Sequence, residues 1–289
     1  MTTPTKTKVK TWGDALDFTW QVKWKRLNSA KTASINANHI TNYAGRSLPL
    51  GRLSKAHWWL MLKAEMEDQG RSGSTINRII SAGSTVLNFT RLAELHSYEM
   101  PKFQKAEEGA ARIEFFTKEE VDRLAFLSRD LFGDRWGHAL SDAILVSAYS
   151  GLRQGELLKL RSSDYDSAHD QLWVGGKTGR LTKNKKGIRN ITLNSKIQPI
   201  VLNRLDRDRL FDDWTNKDQL YAAFKKVRKV AGFSDDYVWH CLRHSFGTWY
   251  GAVTHPRTLM EALGHKTIDM SLRYCKATDE AARTAFLAL

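Results

Sequence analysis

Apolar positions in the first third of the chain recur at helical spacing. Trp12, Leu16, Trp20 and Trp24 fall four residues apart and line one face of a helix that starts at Thr11, where Thr11-x-x-Asp14 has the form of a capping box. A second helix follows Lys31, with Ile35, His39, Ile40 and Tyr43 on one face. Pro49 and Gly51 mark a turn. Ser54 caps a third helix carrying Trp58, Trp59 and Leu62, and Ser74 caps a fourth carrying Ile76, Ile79, Ile80, Val86, Leu87 and Leu92. Residues 11–97 thus predict a four-helix unit. Periodicity lapses over residues 98–111, which hold Pro101, Gly109 and mixed charges and predict an interdomain linker. A new helix opens at Thr117-x-x-Glu120, a second capping-box pattern, and helical spacing runs on to Leu160. The period then changes: residues 171–175 and 187–193 read as two strands joined by a long polar loop. Helical spacing returns from Asn216 onward. The expected fold is mainly α with a small β-sheet (α+β), in two domains over residues 11–97 and 112–289.

Composition adds a partner class. The 289 residues include 45 Lys+Arg against 31 Asp+Glu, a formal net charge of +14, and 42% are hydrophobic, enough to build a core. An excess of this size points to a polyanion, nucleic acid first. The longest apolar runs, residues 58–62 and 143–146, fall far short of the ~20 residues that span a bilayer, so no membrane is expected. The opening Met1-Thr2-Thr3-Pro4-Thr5-Lys6 lacks the apolar stretch of a secretory signal. Two cysteines, Cys241 and Cys275, form no disulfide framework and suit a reducing cytosol. The ten tryptophans are assigned to core and interface packing rather than to base stacking.

The charge is also uneven. No acidic residue occurs between Asp170 and Asp206, whereas Lys177, Arg180, Lys183, Lys185, Lys186, Arg189, Lys196 and Arg204 all do. A hairpin with this bias would lay cations along a phosphate backbone, where counterion release drives binding. Lys177, Arg180, Lys185, Lys186 and Arg189 are the expected DNA contacts; the competing reading is a solvated hairpin without a partner.

Four fragments carry the candidate chemistry. Gly151-Leu152-Arg153-Gln154-Gly155-Glu156-Leu157 sets a guanidinium one helical turn from a carboxylate. Thr182-Lys183-Asn184-Lys185-Lys186 is a basic turn that enters a strand. His240-Cys241-Leu242-Arg243-His244 puts His240, Arg243 and His244 on one helix face. That spacing also admits a zinc-type His-x-x-x-His pair, but Cys241 stands where a zinc protease has its Glu, and Arg243 would repel a cation, so no metal is expected. The fourth fragment is Leu263-Gly264-His265 with Tyr274 nine residues on; each alone reads as a helix end or a core aromatic.

Taken together, in order and spacing, these fragments resemble the tyrosine recombinases, the phage-type integrases and their relatives. The resemblance covers residues 112–289; residues 11–97 are similar to the family's core-binding domain in size, position and helix pattern alone. It implies a site-specific recombinase with Arg153, Lys183, His240, Arg243, His265 and Tyr274 as catalytic residues and Glu156 and His244 as auxiliaries. Lys177 stays open as the alternative lysine. Two guanidiniums would stabilise charge on the phosphate oxygens, with His265 as a further donor. Tyr274 would attack as a phenolate favoured by a nearby base and the cationic site, His240 sharing in the proton transfer, and the lysine would protonate the leaving 5′-oxygen. The implied product is a 3′-phosphotyrosyl link, formed without cofactor, metal or ATP.

The implied partners are double-stranded DNA attachment sites, a homotetramer on that DNA working through a Holliday junction, and accessory DNA-bending proteins, in the bacterial cytoplasm at the nucleoid. With ten residues ahead of the first helix, no separate arm-binding domain is expected. An apolar tail over residues 281–289 is expected to dock on a neighbouring subunit or on its own core. The competing function is a catalytically silent DNA-binding protein on the same scaffold.

Overall fold

The computed structural model describes residues 9–109, 114–176 and 188–275, together with Leu287. The chain divides into two compact units, residues 1–111 and 112–289.

The first unit is built from helices α1 (Trp12–Val22), α2 (Ala30–Ala44), α3 (Leu50–Leu53), α4 (Ala56–Asp68) and α5 (Gly73–Leu92). The expected capping box forms: the Thr11 side chain accepts from the Asp14 amide, and Asp14 accepts from the Thr11 amide. The cap of α5 is Ser72, not Ser74, because its hydroxyl accepts from the Thr75 amide. Trp12, Trp24, Trp58 and Trp59 are buried with Ile40, Leu62, Ile79 and Val86. Two of these indoles find acceptors, Trp12 Nε1 at Thr41 Oγ1 (2.9 Å) and Trp59 Nε1 at the Leu53 carbonyl (2.7 Å), which removes the cost of burying an N–H.

The stretch expected to be a linker is partly a piece of this core. Phe103 stacks on Trp59 with ring centroids 6.0 Å apart, Ala106 is buried, and Asn77 bonds the Ala106 backbone from both ends of its amide. Hydrophobic residues spaced too irregularly for a helix are what the periodicity missed.

The second unit contains α6 (Lys118–Ser150), α7 (Gln154–Leu157), β1 (Tyr165–Asp166), β2 (Gln171–Val174), β3 (Arg189–Thr192), α8 (Gln198–Leu202), α9 (Lys217–Val230), α10 (His240–Gly251), α11 (Pro256–Leu263) and α12 (Asp269–Leu272). Thr117 and Glu120 close the second capping box. α6 is two helices joined at Gly133 (φ 69°, ψ −169°). The sheet is antiparallel in the order β1-β2-β3, with Leu172 opposite Ile191 and Val174 opposite Arg189. The two expected strands are present, and β1 is a third that its two-residue length hid from any pattern. Phe116, Leu140, Ile144, Leu172, Phe224 and Trp239 share one core with the inner faces of α6, α9 and α10. Among the described residues no helix is long and apolar enough to cross a membrane.

Candidate active site

Two helix ends shape the site. α6 stops at Gly151 (φ 65°) and α11 at Gly264 (φ 62°), left-handed caps that glycine adopts without a Cβ penalty. A Cβ at Gly151 would lie 2.6 Å from Phe246 and 2.8 Å from Leu263. The carbonyls at these ends, left without helical partners, are taken by Arg243 of α10. Its Nη1 donates to the Gly151 carbonyl at 2.7 Å and its Nη2 to the Leu263 carbonyl at 2.6 Å. Arg243 is 3% exposed. Burial first, and then the charges of Arg153 and Arg189, push its pKa down to about 9, so it stays a cation at neutral pH.

Arg153 comes two residues after Gly151 and caps α7. Its Nη1 donates to Glu156 Oε1 at 2.8 Å, and its backbone amide to Oε2 at 2.9 Å. The same carboxylate takes Arg189 Nη2 at 2.9 Å and stands 4.0 Å from Arg243 Nη1. Burial works to raise the Glu156 pKa; the Arg189 hydrogen bonds and charge, then those of Arg153, outweigh it and hold it at about 2. One carboxylate therefore faces three guanidiniums, and two positive charges remain uncompensated. Such a cluster suits an anion with several acceptor oxygens.

Arg189 was expected on the DNA backbone. The structure turns it inward instead: it is 9% exposed, with Nε donating to the Ala262 carbonyl at 2.8 Å and both Nη atoms on Glu156. The cause is strand phase. Residues 189, 191 and 193 share the face that carries Ile191 and Leu193 into the core. That alternation was visible in the sequence, but the local run of cations obscured it.

The acid-free span misleads in the same way at two other positions. Lys196 bonds Asp122 at 3.0 Å, and Arg204 is buried between Asp142 and Asp213. Acids outside the acid-free span neutralise these cations, Asp122 and Asp142 far away in sequence and Asp213 nine residues on. Lys177, Arg180, Lys183, Lys185 and Lys186, which include both candidate catalytic lysines, lie outside the described residues.

Tyr274 is 8% exposed and packs on α10, its ring against Gly247. Its hydroxyl shares a hydrogen bond with His244 Nδ1 at 2.6 Å. His244, expected as an auxiliary, is thus the imidazole in contact with the phenol. His240, expected in the proton transfer, lies exposed one turn earlier, with its ring 4.7 Å from that of His244. Burial, then His240, Arg243 and Arg273, hold His244 down to about 4, so it is neutral at pH 7. Burial raises the Tyr274 pKa, and Arg243, Arg273 and Arg153 recover only part of the shift. The expected stabilisation of the phenolate is therefore reversed in this state, because desolvating the phenol outweighs the cationic field. His265, whose ring lies 6.1 Å from that of Tyr274 at 18°, is likewise held down to about 4 by burial and then by Arg243. Its Nδ1 meets the Ser271 hydroxyl at 2.7 Å, a partner that no motif reading singled out.

Known proteins share both the fold and the sequence pattern. The chain is similar to a Mycobacterium tuberculosis protein named as a prophage phiRv2 integrase, 31% identical over 158 residues, 45% of this chain and 40% of that protein. The chain thus spans well under half the length of that relative. It is 23% identical over 276 residues to a tyrosine recombinase of Thermosipho africanus, covering 91% of this chain and 94% of that one. In fold it is similar to the Tn1549 transposon integrase solved with a circular intermediate DNA (TM-score 0.76, 18% identity, 97% of this chain and 99% of that chain). It also matches a lambda integrase tetramer bound to a Holliday junction (TM-score 0.72, 15% identity, 94% and 79%). The sequence profile of the phage integrase family matches residues 114–281, more than half of the chain and the span that holds Arg153, Arg243, His265 and Tyr274; the chain belongs to the phage integrase family.

Proposed function

We propose that the chain is a site-specific DNA recombinase that cleaves and rejoins duplex DNA through a covalent 3′-phosphotyrosyl link to Tyr274. The observation that supports this most is the pairing of two uncompensated guanidinium charges with a tyrosine hydroxyl already hydrogen-bonded to a neutral imidazole. A phosphodiester entering the site would accept from Arg153 and Arg243 on its non-bridging oxygens, where charge builds as the nucleophile attacks. The Tyr274 oxygen attacks phosphorus, and its proton passes to His244 Nδ1. The bond to the 5′-oxygen breaks, and Lys183, or Lys177 in its place, protonates that oxygen. His240, beside His244 and open to solvent, completes the proton path. His265 donates a further hydrogen bond to the phosphate.

The phosphoester energy is kept in the tyrosyl link, so rejoining by the free 5′-hydroxyl needs neither metal nor ATP. Because Tyr274 is buried with a raised pKa, engagement of the phosphate must also release the phenol toward it. The solved relatives carry DNA, one as a circular intermediate and one as a tetramer on a Holliday junction. By analogy, this chain acts as a homotetramer on attachment sites in the bacterial cytoplasm at the nucleoid, helped by DNA-bending proteins. Residues 11–97 serve as the core-binding domain.

The test is a suicide DNA substrate carrying the attachment site and a nick beside the scissile phosphate. Wild-type protein should trap a covalent adduct that Tyr274→Phe does not form. A wild type that binds this DNA yet traps no adduct, or an adduct that survives Tyr274→Phe, overturns the reading and favours the silent DNA-binding protein.

A further inference from the structure

Ser271 lies on α12 with no exposed surface, and its hydroxyl is 2.7 Å from His265 Nδ1. Leaving a buried hydroxyl without an acceptor costs free energy, so most such groups give their hydrogen to one. Three other buried serines of this unit spend it on the carbonyl four residues back, Ser128 on Leu124, Ser150 on Val146 and Ser245 on Cys241, whereas the Ser147 hydroxyl has no partner among the described residues. Ser271 does not; among the described residues its hydroxyl has His265 Nδ1 as its hydrogen-bond partner. Of the two directions this contact allows, the one that satisfies the buried hydroxyl gives its hydrogen to Nδ1 and makes that nitrogen an acceptor. A neutral imidazole has one N–H, so in that arrangement the proton of His265 sits on Nε2. The ring is neutral at pH 7, being held to about 4 by burial and then by Arg243.

The backbone of Ser271 has a second task. The Tyr274 amide donates to the Ser271 carbonyl at 2.9 Å, and the Ser271 amide to the Ile268 carbonyl at 2.8 Å. The residue that bonds the imidazole thus also anchors the turn that carries the tyrosine.

We infer that Ser271 is a positioning residue that locks His265 as its Nε2–H tautomer, leaving that N–H free to donate to the scissile phosphate and keeping the imidazole in register with Tyr274. The role of the N–H at a phosphate rests on the function proposed above; the tautomer itself does not. Without the serine donor the neutral ring can place its proton on either nitrogen, and the fraction protonated on Nδ1 has no hydrogen to offer from Nε2.

The experiment has a spectroscopic arm and a kinetic arm. Two-bond proton–nitrogen correlation spectra of the full chain without DNA, at pH 7.5, separate a protonated ring nitrogen from a bare one, with the His265 signals identified by their loss in His265→Gln. The wild type should show bare Nδ1 and protonated Nε2, and Ser271→Ala should shift both toward an averaged position. Ser271→Ala should also slow adduct formation about tenfold, less than the ~100-fold expected for deleting a transition-state donor outright. Ser271→Thr, which keeps the hydroxyl, should restore both the spectrum and the rate. A protonated Nδ1 in the wild type overturns the inference whether or not any variant folds. A lock confirmed by the spectra with unchanged adduct rates in Ser271→Ala overturns the catalytic half alone. Absence of adduct in the wild type is the separate failure of the recombinase reading.

Discussion

Replacing Glu156 by Gln removes a charge while leaving volume nearly unchanged, so it isolates what one carboxylate does among three guanidiniums. The Glu156 pKa falls from 4.5 to about 2 in the fold, and the side chain is 22% exposed. At 1.36 kcal/mol per pKa unit, that shift corresponds to about 3 kcal/mol of stability at neutral pH. An independent route agrees: removing one partner of a buried ion pair costs ~3–5 kcal/mol, and the Arg189 side chain is 7% exposed. The sign follows from linkage. A carboxylate with a depressed pKa contributes fully above 4.5, and its contribution is lost as pH falls toward 2.

Native-state hydrogen exchange reads this unit by unit. Peptides from α10 and α11 should exchange roughly 200-fold faster in Glu156→Gln at pH 7, since ~3 kcal/mol is a little over two decades. Peptides from α2 and α5, in the other compact unit, serve as the internal reference and should not change. The gap between wild type and variant in urea melts followed at the same peptides should close between pH 4.5 and 2. A gap below tenfold at pH 7, or one that persists unchanged at pH 2, would refute the idea that Glu156 acts as the counter-charge of this cluster.

Other perturbations test separate contacts. In Gly247→Ala the new Cβ would lie 2.9 Å from the Tyr274 ring, so the ring must shift; adduct formation on a suicide substrate should drop at least tenfold, with stability reduced by ~1–3 kcal/mol as overpacking predicts. An adduct rate equal to wild type would place the reactive tyrosine elsewhere. His244 is held neutral, its pKa lowered from 6.5 to about 4, so it stabilises the fold above pH 6.5 and loses that contribution as pH falls toward 4. Denaturation midpoints should therefore fall less steeply over that interval in His244→Gln than in wild type, and parallel curves would contradict the burial of a neutral imidazole. Changing Lys185 and Lys186 to Glu should reduce the slope of log binding constant against log salt by about 2, or more if the new carboxylates repel phosphate. An unchanged slope in a DNA titration would mean that these lysines do not meet the backbone.

What could be read in the sequence, and what could not, divides by the range of the interaction. Capping boxes at Thr11 and Thr117 were legible because the bonds span three residues. Strands β2 and β3 were legible because their residues carry the period themselves. The positions of Arg153, Arg243, His265 and Tyr274 were legible as motifs, but not how they are held: Arg243 is fixed by carbonyls 92 and 20 residues away. Charge patterning failed where it assumed that local acids are the ones that count. Arg189 and Lys196 find theirs 33 and 74 residues away, and Arg204 finds one of its two 62 residues away. The linker was overdrawn for a related reason, since Phe103 and Ala106 meet their partners in tertiary contact without any repeat to announce it.

The two arginines assigned to the phosphate are anchored in opposite ways, and the difference bears on how the site works. Arg153 is held by a carboxylate, which cancels part of its field. Arg243 is held by two neutral carbonyls and stands 4.0 Å from that carboxylate, so its charge is oriented with little loss. Carbonyl anchors at the C-terminal ends of α6 and α11 also add the favourable helix-end partial charge that makes a buried guanidinium tolerable. Arg189 then completes the arrangement from behind. By saturating Glu156 it leaves that carboxylate less able to neutralise Arg153 and Arg243 on the open side. A lysine at position 189 would keep the charge but could not span Glu156 and the Ala262 carbonyl together as the three guanidinium nitrogens do. The cluster thus derives its positive excess less from the number of cations than from which of them are already bonded.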